Sequence, residues 1–302
     1  MRKLGRRRFL ETSLAVTAGL AARPVGAAAP DDLVDVAGTD PRAMVAAALA
    51  ALGGIGRFVR PGDHVVLKPN AGFANPPAWA TTTHPDVVVA VAQACLEARA
   101  KQVTVVEFPL GRGEKCLERC GLSAALAALP AVKVKVLSGP ADFQKVAVPG
   151  GVELKSVEVA KAVLSADVLV NLPVAKAHGQ AGVSFGLKNA MGLILDRSVF
   201  HQMLDLGQAV ADLGRVVKPQ LTLLDATRAL LTNGPAGPGE VATPGRIVAG
   251  RAIASVDAYG LTLARFNLRQ LTPADVPHIR LAGQAGLGEI DVARLRVRKV
   301  QA

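Results

Sequence analysis

Residues 170–201, VNLPVAKAHGQAGVSFGLKNAMGLILDRSVFH, place lysines, histidines, amides, an acid and an arginine directly behind a short apolar run. Lys176, Lys188 and Arg197 offer cationic donors, His178 and His201 can hold a metal or carry a proton, and Asn189 adds an amide. That mixture suits binding of a small anionic ligand, with a divalent metal as the candidate cofactor. The chemistry to expect is proton transfer or metal-assisted hydrolysis. The run at 168–172 reads as a buried strand, and ligand sites in α/β sheets gather at the carboxyl ends of strands.

Two more predicted strand ends carry polar groups. Lys68 and Asn70 follow the run DHVVLK at 63–68, with His84 a short loop later, and Asp225 ends LTLLD at 221–225 with Arg228 close behind. If these strands are parallel neighbours, their ends share one rim with Lys176 and His178. The expected site therefore binds its anion through Lys68, Asn70, Lys176, Lys188, Asn189 and Arg197. His178, His201 and Asp225 are its expected catalytic groups. His178 and His201 are also the candidate metal ligands, with Asp225 or Asp257 to orient them.

Rival motifs in the same stretch fit less well. Gly182 to Gly186 match G-x-S-x-G, and the order Ser184, Asp225 or Asp257, then His278 follows that of some serine hydrolases. A nucleophile elbow needs a strand running straight into the serine, whereas Pro173 and Gly179 intervene after Leu172; hydrolysis by Ser184 is the lesser alternative. GVSFGLKN at 182–189 departs from a P-loop in its glycine spacing and in having Asn189 where a hydroxyl belongs. Gly111 and Gly113 lack the third glycine of a dinucleotide fingerprint. A looser anion site is expected instead, from backbone N–H groups near Gly182 and Gly186 beside Lys188.

The elements that would position these groups alternate in type. Strands are expected at 63–68, 103–107, 132–137, 168–172, 221–225 and 246–248, with a helix opening at Thr83, His84 and Pro85. Segment 138–160 alternates as a small hairpin would. From Arg197 onward one amphipathic helix is predicted, with Arg197, His201, Asp205, Gln208 and Asp212 along one polar stripe. The Pro/Gly-rich stretch 233–245 reads as a long loop of the kind that often carries function. The fold class is α/β, a mainly parallel sheet flanked by helices in a Rossmann-like three-layer arrangement, over residues 30–302 as a single domain or two lobes.

The first 29 residues read as a twin-arginine signal: Arg6, Arg7, Arg8, Phe9 and Leu10 precede a short apolar stretch and a small-residue end. The export machinery is thus an expected partner, the location periplasmic or otherwise exported, and a permanent membrane anchor is not expected. Without this segment the chain keeps 29 basic and 23 acidic residues, a net charge of about +6. With one Trp and one Tyr in the whole chain, it lacks the stacking platforms of nucleic-acid binders, and no nucleic-acid partner is expected. Three cysteines, Cys95, Cys116 and Cys120, are too few for a four-thiolate site and are expected to be buried or unpaired.

Several motifs together resemble the family catalogued as domain of unknown function 362. They are VLKPN at 66–70, TTTHPDVVVAVAQACLEA at 81–98, the stretch 170–201, LTLLDATRALLTNGPAGPG at 221–239, SVDAYG at 255–260 and GLGE at 286–289. In that family ferredoxin-type cysteine runs accompany some members; this chain has none, so the resemblance implies no iron–sulfur cluster here. A fainter likeness to nickel-dependent lactate racemase-type proteins implies a role for His84, His178, His201, Lys176 and Lys188. The resemblance leaves two functions open: an enzyme of the kind described, or a non-catalytic periplasmic binding or redox-enzyme maturation factor.

Overall fold

Runs of Val and Leu bounded by Gly, Pro and Asp become strands buried on both faces, the pattern that parallel sheets covered by helices require. The structure is a computed structural model and describes residues 32–302. The proposed export signal, 1–29, lies outside the described residues. Among those described, the strands are β1 Asp32–Ala37, β2 His64–Pro69, β3 Gln102–Glu107, β4 Val132–Val136, β5 Phe143–Ala147, β6 Ser156–Ala160 and β7 Val168–Leu172. They continue as β8 Val174–His178, β9 Gly182–Val183, β10 Leu221–Leu230, β11 Val241–Ala242, β12 Arg246–Gly250 and β13 Arg296–Gln301.

The main sheet runs β13-β1-β12-β10-β7-β2-β3-β4, with β8 and β11 beside β10 and β9 beside β8. Along this path only the two pairings of β12 are antiparallel. The fold is therefore α/β with a mostly parallel sheet. Alternation sends Val65 and Leu67 of β2 to one face and Val66 to the other. Helices Pro41–Ala51 and Pro85–Glu97 cover the first face; Leu206–Leu213, Ile253–Gly260 and Pro277–Gln284 cover the second. Each buried Val or Leu contributes about 1.5–3 kcal/mol, so the two apolar layers hold the sheet rigid beneath any site at its rim.

From β2 the chain steps outward to β3 and β4, then returns through β7 to the other side of β2. The direction of winding thus reverses between β2 and β7, and a crevice opens over their carboxyl ends. Lys68 pairs in register with Asn171 there, and Pro69 with Leu172.

Two stretches differ from the expectation. Residues 174–178 form a strand, β8, wholly buried beside β10, because Val174, Ala175 and Ala177 are small enough to pack while Lys176 and His178 find polar partners. The helix expected from Arg197 is broken into Ser198–Gln202 and Leu206–Leu213: Asp205 caps the second piece by accepting Gln208 N–H at 2.7 Å, which ends the first. The polar stripe is split accordingly. Asp212 is buried and accepts N–H groups of Val152, Glu153 and Leu154, far from His201 in role. The predicted hairpin at 138–160 is β5 paired antiparallel with β6. All three cysteines are free and buried, and burial pushes the Cys95 thiol up to about 12. Among the described residues no helix is long and apolar enough to cross a membrane.

Candidate functional site

The floor of the crevice is a buried ion pair. Lys68, at the end of β2, points its ammonium at Glu107 Oε2, 2.9 Å away at the end of β3, and also donates to Pro69 O and to Asn189 Oδ1 at 3.4 Å. Three acceptors take all three N–H bonds. Glu107 is equally committed: Oε2 accepts Ala71 N–H at 2.7 Å and Oε1 accepts Phe108 N–H at 3.0 Å. Asn189 gives both amide hydrogens to Lys68 O and Asn171 Oδ1. Gly192 makes this possible, since a Cβ there would stand 2.5 Å from Glu107 Oε1 and 2.6 Å from Lys68 Cε. Lys68 and Asn189, expected to bind ligand, are thus neutralised or saturated from within and act as the base of the site.

One wall comes from β8 and the 70–84 loop. Lys176 is buried and donates to Thr81 O at 2.6 Å and Asn70 Oδ1 at 3.1 Å, with the Phe73 ring centroid 4.6 Å from Nζ. Two acceptors and an aromatic face favour the ammonium form and leave one N–H for a ligand. Burial nevertheless pushes Lys176 down to about 7; Glu107 opposes this, while the charges of Lys68 and Lys188 add to it.

Asp225 does not join this group. It is fully buried, and its oxygens accept His84 N–H at 2.7 Å, Thr227 N–H at 3.0 Å and the Thr227 hydroxyl at 2.6 Å, with Arg228 at 3.6 Å. The expected catalytic role is therefore corrected: Asp225 anchors the far end of the loop that carries Asn70, Phe73 and Thr81. Arg228 helps by donating to Pro77 O and Thr82 O. His84 serves as the N-cap of the helix Pro85–Glu97.

The opposite wall is the short helix Gly186–Asn189 with the segment that follows. Its first N–H groups, on Gly186 and Leu187, are taken by Asp257 at 2.7 and 2.8 Å, so the backbone anion site expected near Gly186 is already filled by a carboxylate. Burial raises Asp257 to about 7 against the pull of those two donors. Lys188 has no acid partner; its Nζ lies 3.0 Å from Met191 Sδ and 3.3 Å from His201 Nε2. Burial, and then the Arg197 charge, push it down to about 7.

The histidines have defined tautomers. His201 Nδ1 lies 2.8 Å from Gln180 Oε1, an acceptor, so it carries the proton and Nε2 faces Lys188 with its lone pair. His178 Nδ1 accepts Ala181 N–H at 3.1 Å, so in neutral His178 the proton sits on Nε2. Burial, then the charges of Lys188, His201 and Lys176, push His178 down to about 3, and burial lowers His201 as well. The two rings stack, with centroids 5.7 Å apart and planes 6° from parallel. Stacked rings whose lone pairs already serve Ala181 and Lys188 cannot converge on one cation, and neighbouring ammonium groups would repel it. The donor set does not fit the expected divalent metal, and among the described residues no cluster of three or more His, Cys, Asp or Glu could hold one.

Between the walls lies a cavity of about 370 Å³. Lys68, Asn70, Lys176, His178, Lys188, Asn189, Arg197 and His201 all line it, so the structure gathers eight of the nine expected residues and leaves out Asp225. Arg197 stacks on Phe108, 4.6 Å from its ring centroid, and spends two N–H bonds on Phe108 O and Pro109 O. Ser184 lines the cavity too, but among the described residues no hydrogen bond joins its hydroxyl to a histidine; Asp225 and Asp257 are committed elsewhere. His278 is buried with Nε2 unpartnered. Sequence reasoning missed Glu107, Phe73, Gln180 and Met191. Only Glu107 carried a signal, as a carboxylate ending a predicted strand.

A family model described as Domain of unknown function (DUF362) matches residues 65–262. The chain belongs to this family. The DUF362 span contains every cavity residue named above. A thylakoid-associated protein of Synechocystis sp. (strain ATCC 27184 / PCC 6803 / Kazusa) is 31% identical over 249 residues, 80% of this chain and 73% of its own length. Among solved structures, the lactate racemase apoprotein from Thermoanaerobacterium thermosaccharolyticum aligns over 70% of this chain and 54% of its own, with 12% identity and a TM-score of 0.45. This chain spans about half of that racemase chain.

Proposed function

We propose that this DUF362 chain binds a small organic anion in the cavity above β2, β3 and β8 and moves a proton on it. One observation carries the reading: three lysines, an arginine and a single acid line the cavity, and that acid is spent on Lys68. Lys176 and Arg197 keep N–H bonds for a ligand, and neutral His178 offers Nε2–H. The His201 lone pair beside Lys188 supplies the proton acceptor. Metal-assisted hydrolysis loses support with the metal donor set.

The test is calorimetric titration of the full chain with propionate and pyruvate at pH 6 and pH 8. An anion binds the protonated lysines, so affinity should fall about tenfold per pH unit above neutrality for each ammonium it contacts. Lys176→Gln should bind at least about tenfold more weakly. Equal binding by wild type and Lys176→Gln, at both pH values, would remove the basis for this reading. Catalysis is read separately, by NMR, as exchange of ligand C–H for deuterium; binding without exchange would leave a carrier rather than an enzyme.

We also propose that residues 1–29 direct export and that 30–302 act as one domain. The motif Arg6, Arg7, Arg8, Phe9, Leu10 supports the export reading. Cell fractionation of the wild type and an Arg6→Lys, Arg7→Lys, Arg8→Lys variant tests it; identical distribution of the two would refute it.

A further inference from the structure

The cavity presents three lysines, and their partners divide them into three kinds. Lys68 is enclosed by a carboxylate, a carbonyl and an amide oxygen, all of which favour an ammonium with no hydrogen to spare. Lys176 has a carbonyl, an amide oxygen and an aromatic face, which also favour the ammonium while leaving one N–H. Lys188 has neither a carboxylate nor an oxygen acceptor. Its neighbours are a thioether, a weak acceptor, and the lone pair of His201. Neither neighbour carries a negative charge to balance an ammonium, and a proton acceptor stands 3.3 Å away. That is the environment of a free amine that can attack carbon.

We propose that Lys188 is a nucleophile that condenses with the carbonyl carbon of a small 2-oxo acid to form an imine. The proposal rests on the reading that the cavity holds an organic anion, and it narrows that anion's class. A 2-oxo acid has its carboxylate one bond from an electrophilic carbonyl. A cavity of about 370 Å³ has room for such a molecule, and Lys176 and Arg197 for the carboxylate with Lys188 for the carbonyl match it in polarity.

The steps balance within the site. The Nζ lone pair forms a C–N bond as the carbonyl π pair moves to oxygen, and the oxygen takes a proton from solvent or from the Lys176 ammonium. The proton released from nitrogen passes to His201 Nε2. In the second step His201 returns that proton to the hydroxyl, the C–O bond breaks, water leaves, and the nitrogen lone pair forms the C=N bond of a protonated imine, whose remaining N–H proton then passes to the group that protonated the oxygen. The amine and the carbonyl thus yield imine and water, with His201 restored and any proton lent to oxygen returned. The lowered basicity of Lys188, near 7, leaves a substantial share of free amine at neutral pH.

The experiment uses the full chain with glyoxylate, pyruvate or 2-oxoglutarate, reduction by borohydride, and peptide mapping by mass spectrometry. The expected result is a reduced adduct on Lys188, saturable in the oxo acid, and lost in Lys188→Arg. His201→Gln should slow trapping about a hundredfold. Calorimetry of the wild type without borohydride runs alongside. If an oxo acid binds but no lysine is modified, or the adduct falls on Lys176, Lys68 or unsaturably over surface lysines, the imine is overturned while the anion cavity stands. If neither the oxo acids nor propionate bind, the anion reading itself fails and the imine with it. Should Lys188→Arg not fold, wild-type mapping alone decides the site.

Discussion

Replacing Lys68 by Met keeps an unbranched stem of the same length to Cε and removes the ammonium. In the folded chain the two side chains are 1% and 4% exposed, so water cannot substitute for the missing charge. Breaking a buried ion pair from one side costs about 3–5 kcal/mol, because the surviving ion is left uncompensated. Two features set where in that range this variant falls. Glu107 keeps N–H bonds from Ala71 and Phe108, which soften the loss. Against that, Pro69 O and Asn189 Oδ1 each lose a donor, at about 1 kcal/mol apiece. A cost of about 4 kcal/mol follows, a large part of the roughly 5–15 kcal/mol that holds a domain together.

Urea unfolding at pH 8, followed by circular dichroism with linear extrapolation, measures this cost. The double variant Lys68→Met, Glu107→Gln removes the stranded charge and should recover at least about half of the loss. A single variant within about 1 kcal/mol of wild type would refute the reasoning. So would a double variant no more stable than the single, since the cost would then come from packing rather than charge.

Gly192→Ala should destabilise by about 1–3 kcal/mol in the same unfolding assay, because its Cβ would press on two side chains held by their own hydrogen bonds; a neutral effect would mean that the Lys68–Glu107 pair can move aside. Lys176 is held near 7 against an ordinary 10.5, so it is neutral in the folded chain and charged in the unfolded one between those values. Stability of wild type relative to Lys176→Met should therefore rise with pH from about 7 to about 10, by at most about 1.4 kcal/mol per unit, and a flat difference across that window would contradict the assigned environment.

Much of this site was legible because strands obey two simple rules. Apolar runs such as VVL at 65–67 and VLV at 168–170 identify buried strands, and parallel strands bring their carboxyl ends to one rim, so Lys68, Lys176 and Lys188 could be grouped before any geometry was known. What could not be read were the pairings that tertiary structure chooses. Asp225 looks like any acid at a strand end, yet the 70–84 loop lies against it and consumes it. Glu107 looks the same and becomes the counter-charge of Lys68. The polar stripe from Arg197 to Asp212 has helical spacing, but Asp205 can cap as well as continue a helix, and Asp212 is drawn inward by three N–H groups from residues about sixty positions away.

Those consumed carboxylates are what make the remaining lysines informative. Asp225 and Asp257 are tied to backbone N–H groups, Glu107 to Lys68, and none reaches Lys176 or Lys188. Burying an amine without an acid costs stability, and here the cost is carried at two neighbouring positions that face the same cavity. A sequence selected for stability alone would replace such groups with apolar residues of similar volume. Their presence is what supports the proposal that the cavity takes a negative charge brought from outside the chain. The same logic separates the two lysines, which burial brings equally near 7: Lys176 is surrounded by oxygen acceptors that an ammonium can use, whereas Lys188 is left with a thioether and an imidazole.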